Sequence, residues 1–232
     1  QRVEAALDLG PVDRVPILEQ LSYNPRVIAD WTGKDIQGFD YTVADICAVI
    51  RQAADLIMPP SAPTGTGRYA TEDGFVYQRD NWTTWRVSRP FGTAAGARDW
   101  LVKRTESLEA QVVDPAAARQ EHRQYMTDLQ SQLGQTVILR YHDVGFCAAY
   151  DSIGLELFAY MTCDYPEVFG RYMAASAARR LEWVEAAADP DLSPVILIAE
   201  DFATKQGPIF PPGFLARYLY PHVEQVAAAW HR

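Results

Sequence analysis

Four short apolar runs, each stopping abruptly at polar or turn-forming residues and each separated from the next by helical patterning, set the frame of this chain. They are VPILEQ at 15–20, DLIM at 55–58, TVILRYH at 136–142 and VILIA at 195–199, followed at once by Glu200, Asp201 and Phe202. Continuous apolar strands alternating with helices belong to a parallel sheet covered by helices, because a parallel sheet buries both faces. The helical stretches are 2–9, 42–54, 115–133, 153–161, 164–188 and 211–232. Within 42–54, Val43, Ile46, Cys47 and Ile50 share one face. Asp114 is placed to cap the third helix ahead of Pro115, and Asp164 to cap the long fifth helix ahead of Pro166.

Residues 61–90 break the alternation. They are rich in Gly, Thr and aromatics and carry turn signals at Glu72–Gly74 and Asp80–Asn81, so a β-hairpin excursion follows the second strand. Trp82 and Trp85 either cover a pocket or pack the excursion onto the body.

Two α/β solutions compete. An open doubly wound sheet carries a Gly-rich phosphate loop after its first strand. Here that segment is EQLSYNPRV, with neither G-x-G-x-x-G nor G-x-x-x-x-G-K-[ST]. A (β/α)8 barrel needs about 250 residues before insertions, and only about four strands are visible. The expectation is an incomplete TIM (β/α)8 barrel: one partial domain over 1–232, with 61–90 inserted and the C-terminal part of the barrel missing.

In such a barrel the reacting groups sit at the carboxyl ends of the strands. The first strand end supplies Glu19, Gln20 and then Tyr23. The third supplies Arg140, Tyr141, His142 and Asp143, and the fourth Glu200, Asp201, Lys205 and Gln206. The second ends in Pro59 and Pro60. Asp201 at the rim of a dry interior can bind a metal, accept a proton or hold a cation, or it can cap its loop or pair with Lys205. Glu200 precedes it, so alternation turns the two to opposite faces. His142 is either a proton shuttle or a structural residue. Cys147, His142 and Asp201 are a conceivable metal trio, although their spacing matches no zinc motif. Three cysteines without a C-x-x-C fit buried apolar positions in a reducing compartment.

A net charge of −9 argues against nucleic acid and anionic membranes as partners. The charged N-terminus, QRVEAALDLGPVDRVP, lacks a signal peptide's apolar core, so the cytoplasm is the expected compartment.

Three segments resemble the uroporphyrinogen decarboxylase superfamily. RVEAALDLGPVDRVPI is similar to its opening helix, D-R-V-P turn and first strand. CDYPEVFGRYMAASAARRLEWVEAA is similar to its long D-x-P-E helix. ILIAEDFATKQGPIFPPGFLARYLYPHVEQVAAAWH is similar to its acidic strand end, G-P loop and following helix. The resemblance implies the barrel and one of two activities. One is methyl transfer between a corrinoid protein and a thiol or folate acceptor, the other decarboxylation of uroporphyrinogen in porphyrin synthesis. The decarboxylases' arginine-bearing R-Q-A-G-R-Y segment is EQLSYN here, and their F-S-D-I motif is DLIMPP. An octa-anionic substrate needs those cations, so methyl transfer is the leading reading. Tyr150, in CAAYDSIG, falls where decarboxylases place an active-site tyrosine. The catalytic candidates are Asp201 and His142, from the strand ends, and Tyr150, from the resemblance. Glu19, Gln20, Tyr23, Arg140, Lys205 and Gln206, at the strand ends and in their loops, are the substrate-binding candidates. Zinc in the full-length protein, held by an H-x-C segment and a later cysteine beyond Arg232, would activate a thiol. A corrinoid protein and a second copy of the chain are the implied partners. The remaining alternative is a non-catalytic member acting by association.

Overall fold

The computed structural model describes residues 2–20 and 23–232. In chain order the helices are α1 (Arg2–Leu7), α2 (Pro25–Thr32), α3 (Val43–Ala53), α4 (Ala94–Ala110), α5 (Pro115–Leu133), α6 (Phe146–Ile153), α7 (Leu155–Asp164), α8 (Pro166–Ala187), α9 (Pro212–Tyr218) and α10 (Tyr220–Trp230). The strands are β1 (Leu18–Glu19), β2 (Leu56–Ile57), β3 (Thr66–Ala70), β4 (Val76–Asp80), β5 (Thr83–Ser88), β6 (Val137–Ile138), β7 (Arg140–His142), β8 (Ile196–Ile198), β9 (Ala203–Thr204) and β10 (Gly207–Pro208). The protein is therefore mixed α/β, with several small sheets and no closed barrel among the described residues. No described helix is long and apolar enough to cross a membrane.

The chain divides into two compact units. The first comprises the residues up to Ser88 together with Arg123–Tyr141 and Asp189–Leu197. The second comprises Arg89–His122, His142–Ala188 and Ile198–Arg232.

In the first unit β1, β2 and β6 form a parallel sheet with β2 in the middle, in register Leu18–Leu56–Val137 and Glu19–Ile57–Ile138. The ladder is closed by Leu56 N–H to Ile17 O (3.0 Å), Met58 N–H to Glu19 O (3.1 Å) and Leu139 N–H to Ile57 O (2.8 Å). Ile57 and Ile138 share a row and are buried under Ile46 and Ile50 of α3 and Met126 and Leu133 of α5. The α3 helix starts on a full capping box. Thr42 Oγ1 accepts from Asp45 N–H, and the Asp45 carboxylate accepts from Thr42 N–H (3.0 Å) and from Lys34. The other row of the sheet is open: Leu18 is exposed, and Leu56 and Val137 are half-buried. The buried first strand expected from VPILEQ is instead the two-residue edge strand β1, and Val15 ahead of it is 80% exposed. Asp55, just before β2, fastens the amino-terminal segment to the sheet. It accepts from Ile17 N–H (2.9 Å) and pairs with Arg2 and Arg14.

The excursion is a three-stranded antiparallel meander, β3–β4–β5, rather than a single hairpin. Both predicted turns are present. Gly74 takes φ +86° in one, and Asn81 takes φ +50° in the other, a conformation that asparagine tolerates better than most residues.

In the second unit the core is aromatic: Phe146, Phe158, Phe169 and Phe210 meet largely edge to face, with Leu101 and Leu215 alongside. The helix expected over 153–161 begins only after Gly154, which at φ +88° separates α7 from α6, a helix that no expected stretch covers. The helix expected over 211–232 is split at Leu219 into α9 and α10, and α10 carries Pro221 in its first turn. Asp164 is the last residue of α7, not a cap for α8. Tyr165 occupies that position and makes no side-chain cap. Asp114 does cap α5, accepting from Ala116 N–H (2.9 Å) and Ala117 N–H (3.1 Å). Of the cysteines Cys47 is buried, Cys147 half-buried and Cys163 exposed, so the last departs from the expected buried role.

Candidate functional site

A parallel sheet directs all its carboxyl ends to one edge. In the first unit a cavity of about 260 Å³ lies at that edge. Gln20 reaches it from the end of β1, Met58, Pro59 and Pro60 from the end of β2, and Asn81, Trp82 and Thr84 from the turn and strand of the meander. Tyr23 and Tyr41 complete the wall. Trp82 thus lines the cavity while more than half of its surface stays open to solvent, and Trp85, paired across from Gln78 and also exposed, is not among the lining residues.

The cavity wall is anchored internally. Tyr41 Oη donates to Tyr23 O (2.9 Å). Thr64 donates both its N–H and its Oγ1 to Asn81 O (each 2.7 Å), and Asn81 N–H donates to Gly65 O (2.7 Å). The turn bearing Trp82 is therefore pinned on both sides. Burial, with the Glu19 carboxylate nearby, raises the Tyr23 phenol well above its usual range, so it stays protonated. Glu19 shares the row of Ile57 and Ile138 and accepts from Gln20 N–H (2.9 Å). Arg140 lies over the Tyr125 ring, 5.8 Å from its centroid.

In the second unit a polar cluster sits just past β8. The Glu200 carboxylate fills the amino terminus of α6. Its Oε1 accepts from Val144 N–H (2.6 Å), Gly145 N–H (3.0 Å) and Phe146 N–H (3.3 Å), and its Oε2 from Cys147 N–H (2.6 Å). Those are the donors a helix start leaves unpaired, and a negative charge there opposes the helix dipole. Gly145 makes the seat possible. It takes φ +94°, and a Cβ would collide with Ser176 Oγ and lie 3.1 Å from Ser176 Cβ. Tyr172 Oη donates to Gly145 O (3.1 Å), and Arg180 braces Asp143 through Nε (2.9 Å).

Once α6 is seated, its first turn holds the Asp201 backbone. Asp201 N–H donates to Cys147 Sγ (2.6 Å), the thiol lies 3.4 Å from Asp201 O, and Tyr150 Oη donates to the same carbonyl. The Asp201 residue itself is exposed. Burial first, then the hydrogen bond and charge of Glu200, push the Cys147 thiol up to about 12. Burial and the neighbouring Cys147 raise Tyr150 beyond the usual phenol range.

Tyr150 and Asp201 are thus brought together, and Gln20 and Tyr23 share a wall. His142 instead packs in an aromatic cluster, stacked on Trp183 (5.8 Å between centroids) and edge-on to Trp230 (5.9 Å). Lys205 and Gln206 are exposed in the β9–β10 turn, where Thr204 Oγ1 donates to Gln206 Oε1 (3.1 Å). Sequence reasoning missed Tyr41, Met58, Thr64 and Asn81 on the cavity and Glu200 as the seat of α6. The D-N turn was the available signal for Asn81.

Among the described residues no three His, Cys, Asp or Glu side chains group to hold a metal, so Cys147, His142 and Asp201 do not form the conceivable trio.

No protein-family model and no curated protein matches the chain. One solved structure, a methyltransferase from Methanosarcina mazei, superposes on 98% of it with a TM-score of 0.57 and 14% identity. At that identity the likeness shows the fold alone. The chain spans 66% of that structure's length.

Proposed function

We propose that this chain supplies the substrate-binding portion of a methyltransferase built on a uroporphyrinogen decarboxylase-like (β/α) barrel, which moves a methyl group between a corrinoid protein and a small molecule. The observation that carries the reading is the cavity at the carboxyl ends of β1 and β2, in a chain that follows a methyltransferase's course over 98% of its length. That edge is where an α/β enzyme binds its ligand. Gln20, Tyr23 and Trp82 are the groups assigned to the small molecule. Within the second unit, Asp201 and Tyr150 are kept as the catalytic candidates and Lys205 and Gln206 as substrate-binding candidates. His142 keeps a positioning role through Trp183 and Trp230.

The cavity also speaks against uroporphyrinogen. None of its thirteen described lining residues is charged. A poly-carboxylate buried there would have no cation to offset its desolvation.

The test uses the full-length protein with free cobalamin, reduced for the demethylating direction and methylated for the reverse, and a panel of methylated donors and thiol acceptors. Turnover followed by the cobalamin spectrum is the expected result. A folded protein that changes no cobalamin spectrum with any of them, or that releases carbon dioxide from uroporphyrinogen, overturns the reading.

A further inference from the structure

We propose that the cavity at the ends of β1 and β2 is a site for a small uncharged polyol, a ligand held by several hydroxyl groups at once. The proposal rests on the methyltransferase reading and adds the class of small molecule that the cavity holds.

Charge of either sign is disfavoured there. None of the thirteen described lining residues is charged, so a carboxylate, a sulfonate or an ammonium would enter without a counter-charge. An anion without a cation can also be held by converging backbone N–H groups. The wall from Met58 to Thr64 is poor in them. Pro59, Pro60 and Pro63 have no N–H, and the Thr64 N–H is spent on Asn81 O (2.7 Å).

Neutral polar groups remain. Gln20, Tyr23, Ser61 and Thr84 line the cavity, and no described residue pairs with the Gln20 amide or with the other three hydroxyls. Asn81 gives its amide N–H to Asp80 (3.0 Å) and keeps its side-chain oxygen as an acceptor. Burial keeps Tyr23 protonated, so it remains a donor. The Tyr41 and Thr64 hydroxyls, by contrast, are spent inside the wall, on Tyr23 O (2.9 Å) and Asn81 O (2.7 Å). The unspent set is mixed: Gln20, Ser61 and Thr84 donate and accept, Tyr23 donates, and Asn81 accepts. A ligand hydroxyl also does both, so several of them can match every member. A carboxylate only accepts and an ammonium only donates, and each would leave part of the set unpaired.

Size and rigidity suit the same ligand. The cavity holds about 260 Å³, under the roughly 300–1,000 Å³ usual for drug-sized ligands. Its three prolines fix φ along one stretch of wall, and the Thr64 and Gly65 bonds pin the Asn81 turn. Little ordering entropy is then lost on binding. Met58 and the prolines supply apolar surface for the carbon skeleton.

The experiment is ligand-observed NMR titration of the full-length protein. Erythritol is the probe, set against three four-carbon analogues: erythronate, in which a carboxylate replaces a terminal alcohol, the derivative with an ammonium in that place, and butanol. Erythritol is expected to bind saturably and on the order of 10-fold more tightly than each analogue. Gln20→Leu and Thr84→Val should each weaken erythritol about 3–10-fold in proteins that melt with the parent. Thr83→Val, outside the lining, should leave binding unchanged. No saturable erythritol binding, binding of a charged analogue or of butanol at least as tight, or equal losses in Thr84→Val and Thr83→Val overturn the proposal. The two readings fail separately. Erythritol binding without methyl transfer to any acceptor removes the methyltransferase reading and keeps the polyol site. Methyl transfer involving a charged small molecule that erythritol does not inhibit removes the polyol site and keeps the methyltransferase.

Discussion

Replacing Glu200 should loosen the start of α6 and free the Cys147 thiol together, because one carboxylate performs both tasks. Four backbone N–H groups converge on it within 2.6–3.3 Å. A helix-terminal cap is worth about 1 kcal/mol, and hydrogen bonds to a charged acceptor about 1.5–3 kcal/mol each in net terms. The site is only half-buried, so water replaces part of what is lost. Glu200→Ala should therefore cost about 2–3 kcal/mol and Glu200→Gln about 1 kcal/mol. At this chain length 1 kcal/mol lowers Tm by about 2–4 °C, so the alanine variant should melt about 4–12 °C lower. Glu200 also helps to push Cys147 up to about 12, so Glu200→Gln should bring the thiol down and speed its alkylation at mildly alkaline pH. Thermal unfolding followed by near-UV circular dichroism, and iodoacetamide kinetics in a Cys163→Ala background, report the two effects. If Glu200→Ala melts with the parent and Cys147 alkylates at the parent rate, Glu200 is not the seat of α6.

Other consequences follow from single residues. Gly145→Ala forces a Cβ into Ser176 at φ +94° and should destabilise by about 3 kcal/mol, read as a urea midpoint shift. Asp55 is half-buried, which opposes its charge, yet the Ile17 N–H, Arg14 and Arg2 together hold its carboxyl below the usual carboxylate range. The unfolded chain then binds the proton more readily, so Asp55 adds stability above about pH 4 that is lost on further acidification. Asp55→Asn should cost about 1–2 kcal/mol at neutral pH and flatten the acid limb of the stability curve. Cys147 gives the opposite limb. Its unfolded thiol titrates near 9.0 and its folded thiol near about 12, so stability should fall as pH rises through that window, and Cys147→Ser should reduce the fall.

The parallel strands were legible because β-branched runs stop at polar or proline residues, as at Glu19–Gln20 and Met58–Pro60. Asp114 and the D-N turn were legible from local chemistry alone. The 17-residue helix α4 was not. Its first turn is alanine and glycine, and Leu101, Thr105 and Leu108 lie among charges that mask the stripe. The Asn24–Pro25 start of α2 was readable but short. Alternation separated Glu200 from Asp201 without saying which met a helix terminus, since that depends on where α6 lands. The cavity was the least legible feature. Gln20, Tyr41, Met58 and Trp82 come from four separated segments, and each alone reads as an ordinary core or turn residue.

The central claim places substrate at the carboxyl ends of β1 and β2. The opposite ends of the first unit's strands carry an open groove of about 1390 Å³ that includes Arg51, which provides an internal control. The deciding measurement is kcat/KM for methyl transfer by the full-length protein in Gln20→Ala, Trp82→Leu and Arg51→Ala. The account predicts a loss on the order of 10-fold or more in the first two and parent-like turnover in Arg51→Ala. Parent-like turnover in Gln20→Ala and Trp82→Leu, with the loss in Arg51→Ala instead, would move the site to the other end of the strands and contradict it.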